Sequence, residues 1–249
     1  MDGELFVEIK NQIAEIEFHH PKGNSLPGQL LNELASKISD AGENKEVKVI
    51  LLKSRGKTFC AGASFDELLS LEDIEKAKIF FSGFGTLIES IKNCPKFVIA
   101  EVQGKAVGGG VGIIAACDYA IASETASIKL SELSIGFGPF VIAPAVIRKI
   151  GLSAFSTLTI DSTSWKSADW ANEKGLYNDV VSSMDELLSK SSALCTSLSG
   201  YSTDAMKEIK NMLWDGYENL AEVHKKRALL SGTLSQSELT QQILSQFKK

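Results

Sequence analysis

Several residue types are scarce in this chain, and each scarcity closes off a class of function. Only three histidines occur in 249 residues: His19, His20 and His224. Two adjoin a proline turn and the third lies in a charged stretch, so none has metal-ligand spacing. Four cysteines (Cys60, Cys94, Cys117, Cys195) show no C-x-x-C pattern, and Cys60 and Cys117 sit among apolar neighbours. Buried free thiols in a reducing compartment are therefore expected, rather than disulfides or a metal site. Long apolar runs are absent, and none approaches the roughly 18 residues of a membrane span. Basic residues do not predominate: 26 Lys and Arg face 31 Asp and Glu, for a formal charge of −5. That balance argues against general nucleic-acid binding, yet it allows an anionic small ligand held by a few local lysines. The N-terminus, MDGELFVEIK, reads as an acidic strand and not as a secretory signal, so a cytoplasmic location is expected.

What is present suits one large globular core, since 44% of residues are hydrophobic and 23% charged. Residues 5–10 and 13–18 alternate polar and apolar around Asn11-Gln12, a hairpin signal. HHPKGNSLPGQ is loop-like. Leu30, Leu31, Leu34 and Ile38 recur at helical spacing and predict a helix over 29–41. A buried strand is expected over 47–52, then the small-residue loop SRGKTFCAGA, a helix from Ser64, and another over 71–91. Short strands are expected at 119–123 and 126–130. Helices dominate after Pro139, over 141–150, 153–160, 167–174, 184–198, 203–216 and from 217 to the end. The pattern is an α/β core over 1–194 with a helical extension over 195–249.

The stretch around which the chain is organised runs from Phe97 to Lys149. Phe97 to Val102 reads as a buried strand, Gly104 and Gly108–Gly110 as a tight turn, and Val111 to Cys117 as a buried helix. A strand–glycine–helix junction aims unpaired N–H groups and the positive helix end at one point. Two chemistries use such a junction. Gly110, Gly112 and Ala115 satisfy the dinucleotide pattern G-x-G-x-x-A, with Glu124 in the next strand. The helix is too short for the usual βαβ crossover, however, and the acidic residue comes too early. The other chemistry is an oxyanion hole, with one donor from the glycine turn and another from the loop Cys60-Ala61-Gly62-Ala63. Glu132, a carboxylate in an otherwise apolar segment, would then move a proton next to a carbonyl. On spacing alone, glycines that merely permit close packing explain the turn equally well.

Several motifs in order resemble the crotonase, or enoyl-CoA hydratase/isomerase, superfamily. They are FCAGASFDEL, AVGGGVGIIAACDYAIAS, SELSIGFGP, KSADWANEKGLYNDVV and the terminal SQFKK. The resemblance covers nearly the whole chain. It implies a spiral of repeated ββα turns, with C-terminal helices packed on neighbouring subunits of a homotrimer or hexamer. It makes Ala63 and Gly109 the N–H donors to a thioester oxygen and Glu132 the catalytic carboxylate. Ala61, Phe247 and Lys248 would contact coenzyme A, with Lys53 or Arg55 assisting. Leu68, Phe137 and Phe140 would shape the acyl pocket, and Asp118 would brace the turn. No metal or redox cofactor is implied, because the coenzyme A thioester is itself the substrate.

Two positions depart from the family pattern. Ser64 stands where an aspartate is common, and Gly112 stands where hydratases of the family carry a second glutamate. A single carboxylate suffices to isomerise a 3-enoyl-CoA to a 2-enoyl-CoA, so isomerisation is the leading expectation. Hydration of 2-enoyl-CoA, branched chains included, is the alternative. A catalytically silent acyl-CoA-binding member is a third reading, favoured by Gly112 and opposed by Glu132. The remaining carboxylates, Asp66 and Glu67 among them, read most simply as solvated charges.

Overall fold

Asn11 and Gln12 both adopt left-handed backbone, with φ of 51° and 64°. They close the hairpin between β1 (Glu4–Lys10) and β2 (Ile13–His19), as the alternating pattern predicts. The computed structural model describes residues 3–246. Beyond the hairpin the chain winds in repeated turns, each giving one strand to a large sheet and one to a small sheet. The first turn carries β3 (Ser25–Leu26) and α1 (Gly28–Glu43). The second carries β4 (Val49–Ser54), β5 (Thr58–Cys60), β6 (Gly62–Ala63), α2 (Phe65–Ser70) and α3 (Ile74–Asn93). The third has β7 (Phe97–Val102), β8 (Lys105–Val107) and α4 (Gly109–Ala116). The fourth has β9 (Tyr119–Ser123), β10 (Ser127–Lys129), a 3-10 turn at Glu132–Ile135 and α5 (Ala143–Ile160). Then follow β11 (Lys166–Ser167), α6 (Ala168–Glu173), β12 (Asp179–Val181), α7 (Met184–Ser199), α8 (Thr203–Leu213), α9 (Leu220–Ser235) and α10 (Glu238–Ser245).

The large sheet has the order β1-β2-β4-β7-β9-β12, and the small one β11-β10-β8-β5, while β3 pairs with β6. From β2 onward the large sheet is parallel, so its central strands are covered on both faces and read as continuous apolar runs. The expected spiral of ββα turns with a C-terminal helical part is the fold observed. Asp118 ties its turns together: its carboxylate accepts from the Val98 N–H at 2.7 Å and pairs with Lys210 at 2.9 Å.

One expectation for the C-terminal part is corrected. The last helix is two, because the Ser237 side chain accepts from the Thr240 N–H and starts α10 afresh. The C-terminal helices also pack on their own chain. α9 lies along α3, and the Thr240 hydroxyl of α10 donates to the Gly136 carbonyl at 3.0 Å. Residue 195, where the extension was expected to begin, falls inside α7. Cys195 is buried there against Val49, Leu51 and Ile99 of the large sheet. No helix among the described residues is long and apolar enough to cross a membrane.

Candidate active site

The centre of the site is built from positions that cannot carry a side chain. Gly108 has φ of +52°, and a β-carbon there would stand 2.6 Å from the Glu132 Oε1. Its lack of a side chain lets both the left-handed backbone and the carboxylate occupy one place. Gly109 opens α4, so its N–H has no partner within the helix and lies at the positive end of the dipole. Farther into the helix, the Val111 and Gly112 N–H groups both bond the Gly108 carbonyl.

The second loop meets this turn directly. Gly62 has φ of +86°, and a β-carbon there would lie 2.8 Å from the Val107 oxygen and 3.6 Å from the Gly109 nitrogen. The Ser64 N–H donates to the Leu26 carbonyl at 3.1 Å. Alternation along the strand therefore turns the Ala63 N–H away from β3. The Cys60 thiol beneath this loop is pushed up to about 12 by burial, so it is no nucleophile.

Glu132 leads the 3-10 turn that follows β10. Gly136, with φ of +98°, closes that turn and is held from outside by Thr240. The Glu132 Oε2 is shut away from solvent and has no hydrogen-bond partner. Burial pushes its carboxyl from an ordinary 4.5 up to about 7, offset in part by its own backbone N–H. A carboxyl in this range, beside the turn that carries the Gly109 N–H, is able to serve as a general base near neutral pH.

One cavity of about 70 Å³ joins these groups. Ala61, Ala63, Gly109 and Glu132 line it, together with Leu68, Phe137 and Phe140. The structure thus brings these seven residues around one cavity. Phe247 and Lys248 lie outside the described residues. The wall is aromatic: the Phe81 and Phe137 rings stand edge to face at 5.3 Å, and Phe84 presses on Gly109.

Position 112 is empty of carboxylate and also of space. A β-carbon on Gly112 would meet Ile142 Cγ2 at 2.4 Å and Cβ at 2.5 Å. Ile142 itself lines the cavity, so an apolar side chain stands where a second glutamate would reach.

Other candidates lie elsewhere. Lys53 pairs with Glu15, and Arg55 pairs with Glu17 at 2.7 Å and stacks on Phe6 at 4.3 Å. Both are engaged on the polar face of the large sheet and do not line the cavity. Asp66 pairs with Lys22, and Glu67 accepts from the Gly28 N–H at 2.7 Å. His224 is buried, not solvated, and meets Glu89 at 2.7 Å. Phe84, Ile142 and Ser231 are among the cavity residues that the sequence reading did not name. The 80/81/84 phenylalanine spacing was visible as a buried helix face. Nothing in the sequence marks Ser231.

The sequence profile described as enoyl-CoA hydratase/isomerase matches residues 8–248. A probable enoyl-CoA hydratase of Bacillus subtilis is 29% identical over 228 residues, covering 90% of this chain and 88% of its own length. The bacillaene synthase dehydratase PksH of the same species is 31% identical over 187 residues, covering 74% and 71%. Among solved structures, an enoyl-CoA hydratase from Bacillus halodurans superposes with a TM-score of 0.90 at 21% identity, covering 98% of this chain and 99% of that one. A putative enoyl-CoA hydratase/isomerase (crotonase) from Legionella pneumophila gives 0.79 at 32% identity, covering 86% and 83%.

Proposed function

The chain belongs to the enoyl-CoA hydratase/isomerase family, and from that premise we propose that it isomerises a 3-enoyl-CoA to the 2-enoyl-CoA. Glu132 takes a proton from C2 of the thioester and returns it to C4, so the double bond moves by one position. The N–H groups of Ala63 and Gly109 hold the oxygen of the dienolate between the two transfers. Such donors act in a dry, fixed site and contribute roughly 3 kcal/mol each.

The observation that carries this reading is the single carboxylate. Besides Glu132, the only polar side chains on the cavity wall among the described residues are Ser131 and Ser231. Hydration needs a water deprotonated while the α-carbon gains a proton, and Ile142 fills the place of a second carboxylate. Hydration or dehydration is the second reading, favoured by the names of the Bacillus relatives. A silent acyl-CoA-binding protein is disfavoured by a carboxyl tuned to about 7 beside the oxyanion donors.

The proposal extends to the surroundings of the site. Ala61, Phe247 and Lys248 contact coenzyme A, no metal or redox group takes part, and the protein works as a homotrimer or hexamer. Four buried free cysteines support a reducing, cytoplasmic setting. Rates with 3-hexenoyl-CoA and 2-hexenoyl-CoA decide the reaction. Isomerisation of the first is expected to outrun hydration of the second, and the reverse order overturns the assignment.

A further inference from the structure

Ser231 belongs to α9, is 1% exposed and lines the cavity. Its hydroxyl has no hydrogen-bond partner among the described residues. A hydroxyl without a protein partner in a largely apolar cavity is costly unless a ligand satisfies it, and Phe81, Phe84 and Ile142 line the same cavity.

The two helices fix its place along the cavity. α9 runs antiparallel to α3: Gly85 faces His224, while Gly232 faces Lys78 and Ile74. Phe84 on α3 marks the oxyanion end, because its ring presses on Gly109. Ser231 adjoins Gly232, so it sits near the level of Lys78, about 9 Å of helix axis from Phe84. It therefore lies away from the oxyanion end of the acyl cavity. The cavity is also small, with room for about five waters at the usual volume per probe centre.

We propose that Ser231 is a specificity residue that hydrogen-bonds a neutral oxygen, a hydroxyl or keto group, carried at the distal end of a short acyl chain. The oxygen is neutral because, among the described residues, no lysine, arginine or histidine lines the cavity. A carboxylate there would be buried without a counter-charge. This inference rests on the acyl-CoA reading above and names the class of acyl group that the site selects.

Titration calorimetry with butyryl-CoA and 4-hydroxybutyryl-CoA tests it without relying on turnover. The wild-type protein is expected to bind the hydroxylated ligand about tenfold more tightly, the yield of one neutral hydrogen bond. In Ser231→Ala the two affinities are expected to fall within twofold of each other. Equal affinities in the wild type, or an undiminished preference in Ser231→Ala, overturn the role of Ser231 and leave acyl-CoA binding standing. Absence of binding by either ligand overturns both.

Discussion

A carboxyl group sealed from water keeps its proton to higher pH, and Glu132 is the clearest case in this chain. As a base it must be ionised, so turnover should rise with pH up to about 7 and level off above it. The sign for stability is opposite. Between about 4.5 and about 7 the unfolded chain has lost this proton while the folded one retains it, so stability falls across that window. The shift corresponds to a loss on the order of 3 kcal/mol by pH 8. Glu132→Gln is therefore expected to abolish turnover yet raise the melting temperature at pH 8, with little change near pH 4. Thermal melts at the two pH values check this, and equal effects at both would refute the burial argument. Gly112 makes a second case. Gly112→Glu alone collides with Ile142 and should destabilise by about 1–3 kcal/mol without creating hydration. Gly112→Glu with Ile142→Ala opens the space, and only that pair should gain measurable hydration of a 2-enoyl-CoA. Both residues are visible in the sequence, but their contact is not.

Elements with strong local signals were legible, and those held by distant partners were not. The first hairpin, α1 and the strand–glycine–helix junction follow from turn residues, apolar spacing and the glycine run. The strands β5, β6 and β8 are two or three residues long and exist because they pair across the spiral. No local pattern announces such strands. α9 was the hardest element, since its apolar residues form no single stripe. Instead it is seated by glycines. A β-carbon on Gly232 would stand 2.9 Å from the Lys78 nitrogen and 3.1 Å from the Ile74 oxygen, both backbone atoms of α3. Neither can yield without moving a helix. Gly232→Val should cost about 1–3 kcal/mol by denaturant melts and lower turnover, because it levers α9 and Ser231 off the acyl cavity. A variant with wild-type stability and turnover would show that the seating is loose.

At the scale of the whole molecule, the spiral gathers loops that are far apart in sequence. The residues Ala63, Gly109 and Glu132 were legible as a site only because three motifs pointed to the same chemistry. Ile142 and Ser231 were not, since packing on the far wall leaves no mark on spacing. One consequence of the same winding is an apolar groove flanking the Glu132 turn, between α5 and α9, lined by Leu133, Phe155, Leu230 and Leu234. Leu133 is 51% exposed and Leu230 is 43% exposed. Leu239 on α10, at 64%, lies on the helix that holds the same turn through Thr240. Contiguous apolar surface of this kind marks an interaction surface. A second copy is the expected occupant, which would place the subunit contact against the back of the catalytic turn. Sedimentation velocity at micromolar concentration should then give a trimer or its dimer. Leu230→Glu should shift the population toward monomer, and turnover should fall with it, because the turn carrying Glu132 loses its support. A wild-type protein that sediments as a monomer while turning over thioester would end the assembly proposal and leave the chemistry intact.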